Sequence, residues 1–510
     1  MATKAVINVD LADVFTSSGR KGFLHSLAWG DSVEVLETTD DYLKIVTTKF
    51  ETLDDGSILP VKTEAFICPK KASKISPSDV VKPIKENTVL KVNFVDVQQG
   101  DAALIETPDG KTVLIDGGDN QMFARYLAAR YPGTSEANRK VIDCILVTHG
   151  DADHFSGLVE IHKSEKNPEA RKRLFITPKR YYHNGIVKRP SKGSDGKAIP
   201  DKELLGDTER VGNDLLITEL CDSLLDVPDE SMNLPYKNWK ECLQDWDSID
   251  PIEFRRLSFG QDGAFDFLKT DNLEVSVLGP LLTENGGISG LKFLHEPPKG
   301  PRLGHESVIL DPINSGGLSA SHTINGHSIV FRLRYGGFSY LFTGDLNDES
   351  SRLLGRKNQD GEINLRSEVL KVPHHGSADF SGGFIKQVAP IVSIVSSGDE
   401  SSRKEYIHPR ATLLGALGKH SRLDEPIVLV TELVAFFKLE GWAHLDPEDH
   451  GNDRGSFFAF SRAAYGLVKT RTDGNRLLVY TDSGKADMKE AYCFELDEAG
   501  IPQPAAIVRV

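Results

Sequence analysis

Residues 142–154 read Ile-Asp-Cys-Ile-Leu-Val-Thr-His-Gly-Asp-Ala-Asp-His, an apolar run that ends in two histidines and two aspartates. The run 142–147 has the length and composition of a buried strand, so the turn begins at Thr148. His149, Asp151, Asp153 and His154 then leave that turn into one small volume, as metal ligands do. Imidazole nitrogen mixed with carboxylate oxygen suits zinc or manganese, and with ligands from elsewhere such a loop holds two ions. The competing reading is a polar turn with a helix cap at Asp153 or Ser156, and the two histidines argue against it.

Working outward, the same residue types recur at the ends of other apolar runs. Asp116 closes Thr-Val-Leu-Ile-Asp (112–116), and Asp345 closes Tyr-Leu-Phe-Thr-Gly-Asp (340–345). His374 and His375 close Leu-Lys-Val-Pro-His-His-Gly-Ser (370–377), and His408 lies in Ile-His-Pro. A lone aspartate after a strand is well placed to bridge two ions. Strands are expected at 89–97, 103–107, 112–116, 142–147, 274–278, 328–333, 339–342, 368–372 and 391–396. Helices are expected over 121–130, after 347 and after 408. This interleaving predicts layered α/β packing.

Residues 1–75 instead alternate apolar and polar in short runs, which predicts a small all-β module. The polar, proline-containing stretch 76–88 reads as a linker. A catalytic domain is expected over 89–450, with a charged insert at about 160–270, and 451–510 as a β-rich extension packed on it.

The chain has 510 residues, 39% of them hydrophobic, with 60 Lys+Arg against 75 Asp+Glu and a net charge of −15. That excludes a disordered chain and a small disulfide-stapled scaffold. An acidic average repels nucleic acid, but the charge is uneven. Residues 161–198 carry a local +8 and residues 199–254 a local −11. Five scattered cysteines with no C-x-x-C pair suit a reducing compartment. With no leader-like amino terminus and no run near ~18 apolar residues, a cytoplasmic protein without membrane contact is expected.

Two resemblances sharpen this. Residues 22–46, with a Gly-Asp turn before Val-Glu-Val, resemble a bacterial SH3-like barrel. The order L-I-D-G-G, T-H-x-D-x-D-H, F-T-G-D and a late histidine resembles the metallo-β-lactamase fold, an αββα sandwich. More narrowly, residues 95–118, H-G-D-A-D-H, L-K-V-P-H-H-G-S and I-H-P resemble the metallo-β-lactamase-like domain of ComEC-type DNA-uptake proteins, over roughly 89–160 and 270–435. The resemblance implies that His149 and Asp151 hold one ion and Asp153, His154 and His408 the other. Asp345 would bridge them and Asp116 would orient the site from behind. A further ligand to the first ion would come from His374 or His375, although His322 and His327 are also available. Asp151 stands where most hydrolases of this fold have histidine, which hardens the site toward manganese or magnesium rather than zinc.

The expected activity is two-metal phosphodiester hydrolysis of DNA. Asp153 would orient the attacking hydroxide, Lys371 would meet phosphate oxygens, and whichever of His374 and His375 is free of metal, taken as His375, would protonate the leaving group. Arg171, Lys172, Arg173, Lys179 and Arg180, near Phe175, Tyr181 and Tyr182, would follow a nucleic-acid backbone and stack bases, with His327 as a further substrate contact. One alternative is a small-molecule hydrolase, such as a phosphocholine-type esterase or lactonase, with 199–254 as a lid and Trp239 and Trp246 binding a cation. Another is a scaffold with a vestigial site. The amino-terminal module is expected to bind a protein or peptide partner.

Overall fold

The structure, a computed structural model, describes residues 2–52, 58–193, 195–296, 317–398, 408–431, 437–444, 456–462, 466–481 and 490–510. Its centre is a sandwich of two sheets. In the first, strands Leu90–Val95, Ala102–Glu106 and Thr112–Asp116 run antiparallel, and Thr112–Asp116 continues through parallel pairing to Cys144–Leu146, Arg180–His183 and Glu253–Arg256. The second orders Leu273–Gly279, Val330–Tyr335, Phe338–Phe342, Val369–Lys371, Val392–Val395 and Ile427–Val430. The central strands Thr112–Asp116, Cys144–Leu146, Phe338–Phe342 and Val392–Val395 are buried along their whole length, as strands covered on both sides are. Phe94, Ile115, Leu146, Phe331, Phe342 and Ile394 fill the space between the sheets.

Helices cover the outer faces. Against the first sheet lie α1 (Met122–Arg130), α2 (Ala152–Ser164) and α3 (Leu234–Ile249), packed through Phe123, Leu158 and Trp239. After the short α4 (Ala320–Gly326), the second sheet carries α5 (Asp348–Gln359), α6 (Gly382–Val388) and α7 (Ala411–His420), packed through Leu354, Phe384 and Leu413. This is the αββα order expected.

The amino-terminal strands form a separate seven-stranded antiparallel sheet that fits an SH3-like module. Strand pairing ties two of the expected segments to their neighbours. The 76–88 stretch is not a free linker, because Val81–Pro83 pairs with Thr3–Ile7 and Val80 enters the module core. Within the expected β-rich stretch 451–510, Leu467–Thr472 pairs with Leu90–Val95 and extends the first sheet to ten strands. The boundary at 450 also falls between two paired strands, Phe437–His444 and Ser456–Arg462. The sequence marked 451–510 as β-rich, but only the partner strand decided which sheet Leu467–Thr472 completes.

The last residues return to the module. Leu11 N donates to Val508 O (3.1 Å) and Val510 N donates to Leu11 O (3.0 Å), and Val510 is buried in the module core. Arg476 Nη2 meets Asp10 Oδ2 at 2.6 Å. Leu11, Trp29, Val89, Leu478 and Tyr480 form a shared apolar cluster between module and sandwich.

Candidate metal centre

The metal loop leaves the end of Cys144–Leu146 and enters α2. Asp151 occupies the helix cap position, and its side chain makes no capping hydrogen bond. Neighbouring strand ends deliver Asp116, Asp345 and the His374–His375 turn to the same edge. Asp116, His374 and His375 all have positive φ (54°, 49° and 51°), a conformation costly for non-glycine residues and common where a site must be held in shape. Two glycines make the approach possible. A Cβ on Gly100 would come 1.7 Å from Asp153 O, and one on Gly344 would come 2.8 Å from the Ser328 side chain.

His149, His154 and Asp345 bring ligand atoms within 4.8 Å of one another, as do Asp153, His154 and His375, and Asp101, Asp345 and His375. His154 Nε2 is 3.4 Å from Asp345 Oδ2, and His375 Nε2 is 3.0 Å from the same oxygen but outside hydrogen-bond geometry. Asp116 accepts from Thr148 N and Oγ1 (both 2.7 Å) and faces His154 Nδ1 at 3.0 Å. His375 Nδ1 donates to Ser396 O at 3.0 Å. Each outer nitrogen is therefore tied to an acceptor, which fixes the ring and turns Nε2 inward, as the supporting contacts of metal-bound histidines do. Gln99 Nε2 donates to Asp153 Oδ2 (3.0 Å), orienting that carboxylate.

The donor set fits divalent ions. His149 Nε2, His154 Nε2, His375 Nε2 and Asp345 Oδ1 are buried without a hydrogen-bond partner, an arrangement native interiors avoid unless an outside group completes it. Protonation follows from the crowding. Burial would lower His375, but Asp345 and Asp101 raise it to about 10. Burial opposes and Asp345 and Asp116 overcome it at His154, which is raised well above the usual imidazole range. Asp345, despite burial, is held well below the carboxylate range by His375 and His154. Burial and His154 push His149 well below its ordinary value. Without ions the site is thus balanced by imidazolium protons, which metal binding would release.

Several expected roles shift. Asp101 was missed by sequence reasoning. It is 4% exposed, faces His375 Nδ1 at 3.4 Å and is ion-paired with Lys371. Its signal was a charged residue directly before the buried run 102–104. Lys371 is not a solvent-facing phosphate contact: it is 5% exposed, bonded to Asp101 and donates to Gly344 O (3.0 Å). His375, expected as proton donor, stands among the ligand groups, whereas His374 stands beside them. With the Asn325 amide oriented by its network, its nitrogen donates to Asp151 Oδ2 (2.9 Å) and its oxygen accepts from His374 Nε2 (3.3 Å). Asp151 and His408 fall outside the close groups among the described residues. Asp151 Oδ1 is instead 3.0 Å from Lys188, and the His408 ring lies 6.1 Å from that of His374. His322 meets Asp379 at 3.2 Å. His327 is buried, its Nε2 donates to Lys292 O (2.7 Å), and burial lowers it to about 4.

The basic run does not form an open track. Arg171 and Lys172 pair with Glu169, Arg173 binds the carbonyl of Pro168, Lys179 pairs with Asp250, and Arg180 pairs with Glu253. Tyr181 and Tyr182 are buried, as are Trp239 and Trp246, so they neither stack bases nor cage a cation. Between the +8 and −11 segments, Lys179 pairs with Asp250, Arg180 with Glu253, and Arg189 with Asp207 and Glu219.

Residues 95–221 match the family model described as the metallo-beta-lactamase superfamily, and with the sandwich and its donor-lined edge the chain carries a metallo-β-lactamase domain. It is similar to ComE operon protein 3 of Bacillus subtilis (strain 168), 36% identical over 98 residues, and to competence protein ComA of Neisseria gonorrhoeae, 36% identical over 97. Each match covers 19% of this chain and only 12% and 13% of those relatives. A diphosphatase of the PhnP family, 13% identical, aligns over 73% of this chain and 99% of its own with a TM-score of 0.24, too low to add to the assignment. Among the described residues no helix is long and apolar enough to cross a membrane.

Proposed function

We propose that the chain is a metal-dependent phosphodiesterase that cleaves DNA. The observation that supports it most is the convergence of His149, Asp153, His154, Asp345 and His375 with buried, unpartnered nitrogens facing inward. The ComEC-type resemblance supports the substrate. The mixed imidazole and carboxylate set suits manganese or zinc, with magnesium as an alternative. Ions held there would supply Lewis acidity and water activated near neutral pH. The protein's own groups do the rest. Asp116 and Ser396 O fix two imidazoles, Gln99 aims Asp153 at the attacking water, and Lys371 neutralises Asp101. His374, held by Asn325 beside the ligands, would protonate the leaving oxygen.

The test is purified full-length protein on single- and double-stranded DNA and RNA with Mn²⁺, Zn²⁺ or Mg²⁺, beside Asp153→Ala/His154→Ala. Metal-dependent DNA cleavage is expected, with the double variant down by roughly 10²–10³-fold, the equivalent of several kcal/mol of Lewis-acid stabilisation. Hydrolysis of small esters alone would replace DNA by a small substrate, and no metal-dependent cleavage of any substrate would end the reading.

A further inference from the structure

The charged insert meets the metal loop through Lys188, whose Nζ lies 3.0 Å from Asp151 Oδ1. This is not a chance pair between loose surface chains. Asn233 N donates to Lys188 O (2.9 Å), and Tyr236 OH donates to Ile186 O (2.8 Å). Ile186 and Val187 are buried. The same tyrosine hydroxyl packs over the metal loop so closely that a Cβ on Gly150 would come within 2.1 Å of it. Insert and metal loop are therefore locked together, while the two charged ends stay partly open, with side chains 27% and 24% exposed.

Both Asp151 oxygens are engaged, one by Lys188 and the other by Asn325. Asp151 stands outside the close ligand groups but in the same loop, between His149 and Asp153, and an ion that drew it in would remove the carboxylate that neutralises Lys188. The backbone would stay fixed, leaving an ammonium on a flexible stem at the mouth of the site, the form in which lysine binds phosphate oxygens. The neighbouring cations named above are already committed, the insert's to carboxylates or a carbonyl and Lys371 to Asp101.

We propose that Lys188 is the phosphate contact of this site: it neutralises Asp151 in the ion-free protein and turns to a non-bridging phosphate oxygen once Asp151 is taken. This rests on the phosphodiesterase reading. The specificity it confers is for anionic esters over neutral ones.

The experiment compares full-length wild type, Lys188→Met and Lys188→Arg, each loaded with Mn²⁺. It measures bound manganese, thermal stabilisation by inorganic phosphate, and hydrolysis of bis(p-nitrophenyl) phosphate. Lys188→Met should keep its manganese yet bind phosphate roughly tenfold to a hundredfold more weakly, the effect of one lost charge-assisted hydrogen bond, with a matching rise in KM. Lys188→Arg should recover most of the affinity. Unchanged phosphate affinity in Lys188→Met overturns the proposal, as does a loss of manganese in step with phosphate, which would mark Lys188 as a prop of the metal loop. If wild type binds phosphate through Lys188 but hydrolyses no ester, the phosphodiesterase reading fails and the contact stands.

Discussion

Two clusters of buried charge share the ten-stranded sheet, and they are completed differently. At the junction with the amino-terminal module, Glu106 takes Arg130 (2.7 Å) and the Tyr131 hydroxyl (3.0 Å). Arg471 donates to Asn93 Oδ1 (2.9 Å) and Thr470 O (2.8 Å) and lies 3.7 Å from Asp31 of the module. Apart from Arg471 Nε, the polar atoms of this cluster are served by the protein. At the sandwich edge, by contrast, three imidazole nitrogens and a carboxylate oxygen converge without hydrogen bonds. Burying charge is costly unless it is paired. Where the chain supplies the partner the cluster is architecture, and where it does not, the missing partner comes from outside.

The comparison can be broken at either end. The largest effect in the absence of any metal should come from the junction. Arg471→Met leaves Asn93 and Asp31 facing a hydrophobe and should lower stability by about 3 kcal/mol, with metal content unchanged in the folded fraction. A denaturation midpoint equal to wild type would refute the architectural reading. At the metal edge, Asp116→Asn releases His154 Nδ1 and should weaken metal affinity by about 10–100-fold while barely moving the melting temperature of chelated protein. A large melting shift without a change in metal affinity would make Asp116 part of the scaffold.

The smallest effect is the dependence on pH, and its direction differs between the clusters. In chelated protein His375 is raised to about 10, so its stabilisation is complete below the ordinary value of about 6.5 and is lost as pH rises through 10. Asp31, where burial is outweighed by Arg471 and other cations, is lowered to about 2. Its stabilisation is present above about 3.9 and is lost as pH falls through 2. Melting curves of chelated protein should therefore fall on the alkaline side, and metal loading should flatten that side alone. A flat alkaline limb without metal would contradict the imidazolium balance.

The comparison also bears on the module. An SH3-like sheet in isolation suggests partner binding, yet here Val508–Val510 lies against Leu11–Asp13 and Arg476 grips Asp10. The surfaces that would have been read as free are partly filled by the chain's own end.

Most of the sandwich was legible because strand ends and ligand types coincide locally. The strand expected at 112–116 is Thr112–Asp116, and those expected at 339–342 and 391–396 differ by a residue or two at their ends. Asp101 was not legible, because a single aspartate before a strand looks like any turn carboxylate. Nor was the neutralisation of the basic run, because Lys179–Asp250 and Arg180–Glu253 join residues more than 70 positions apart, and composition cannot say which charges meet.

By itself the sequence determined the donor-rich loop at 148–154, the alternation of strands and helices and the aspartate that closes 340–345, because each rests on residue types within a few positions of one another. Tertiary structure alone decided that His375 rather than His374 joins Asp153 and His154, that Lys371 serves Asp101, and that Lys188 reaches Asp151. Those choices depend on where a turn at positive φ points adjacent side chains and on which distant strands become neighbours, and neither is written in local sequence.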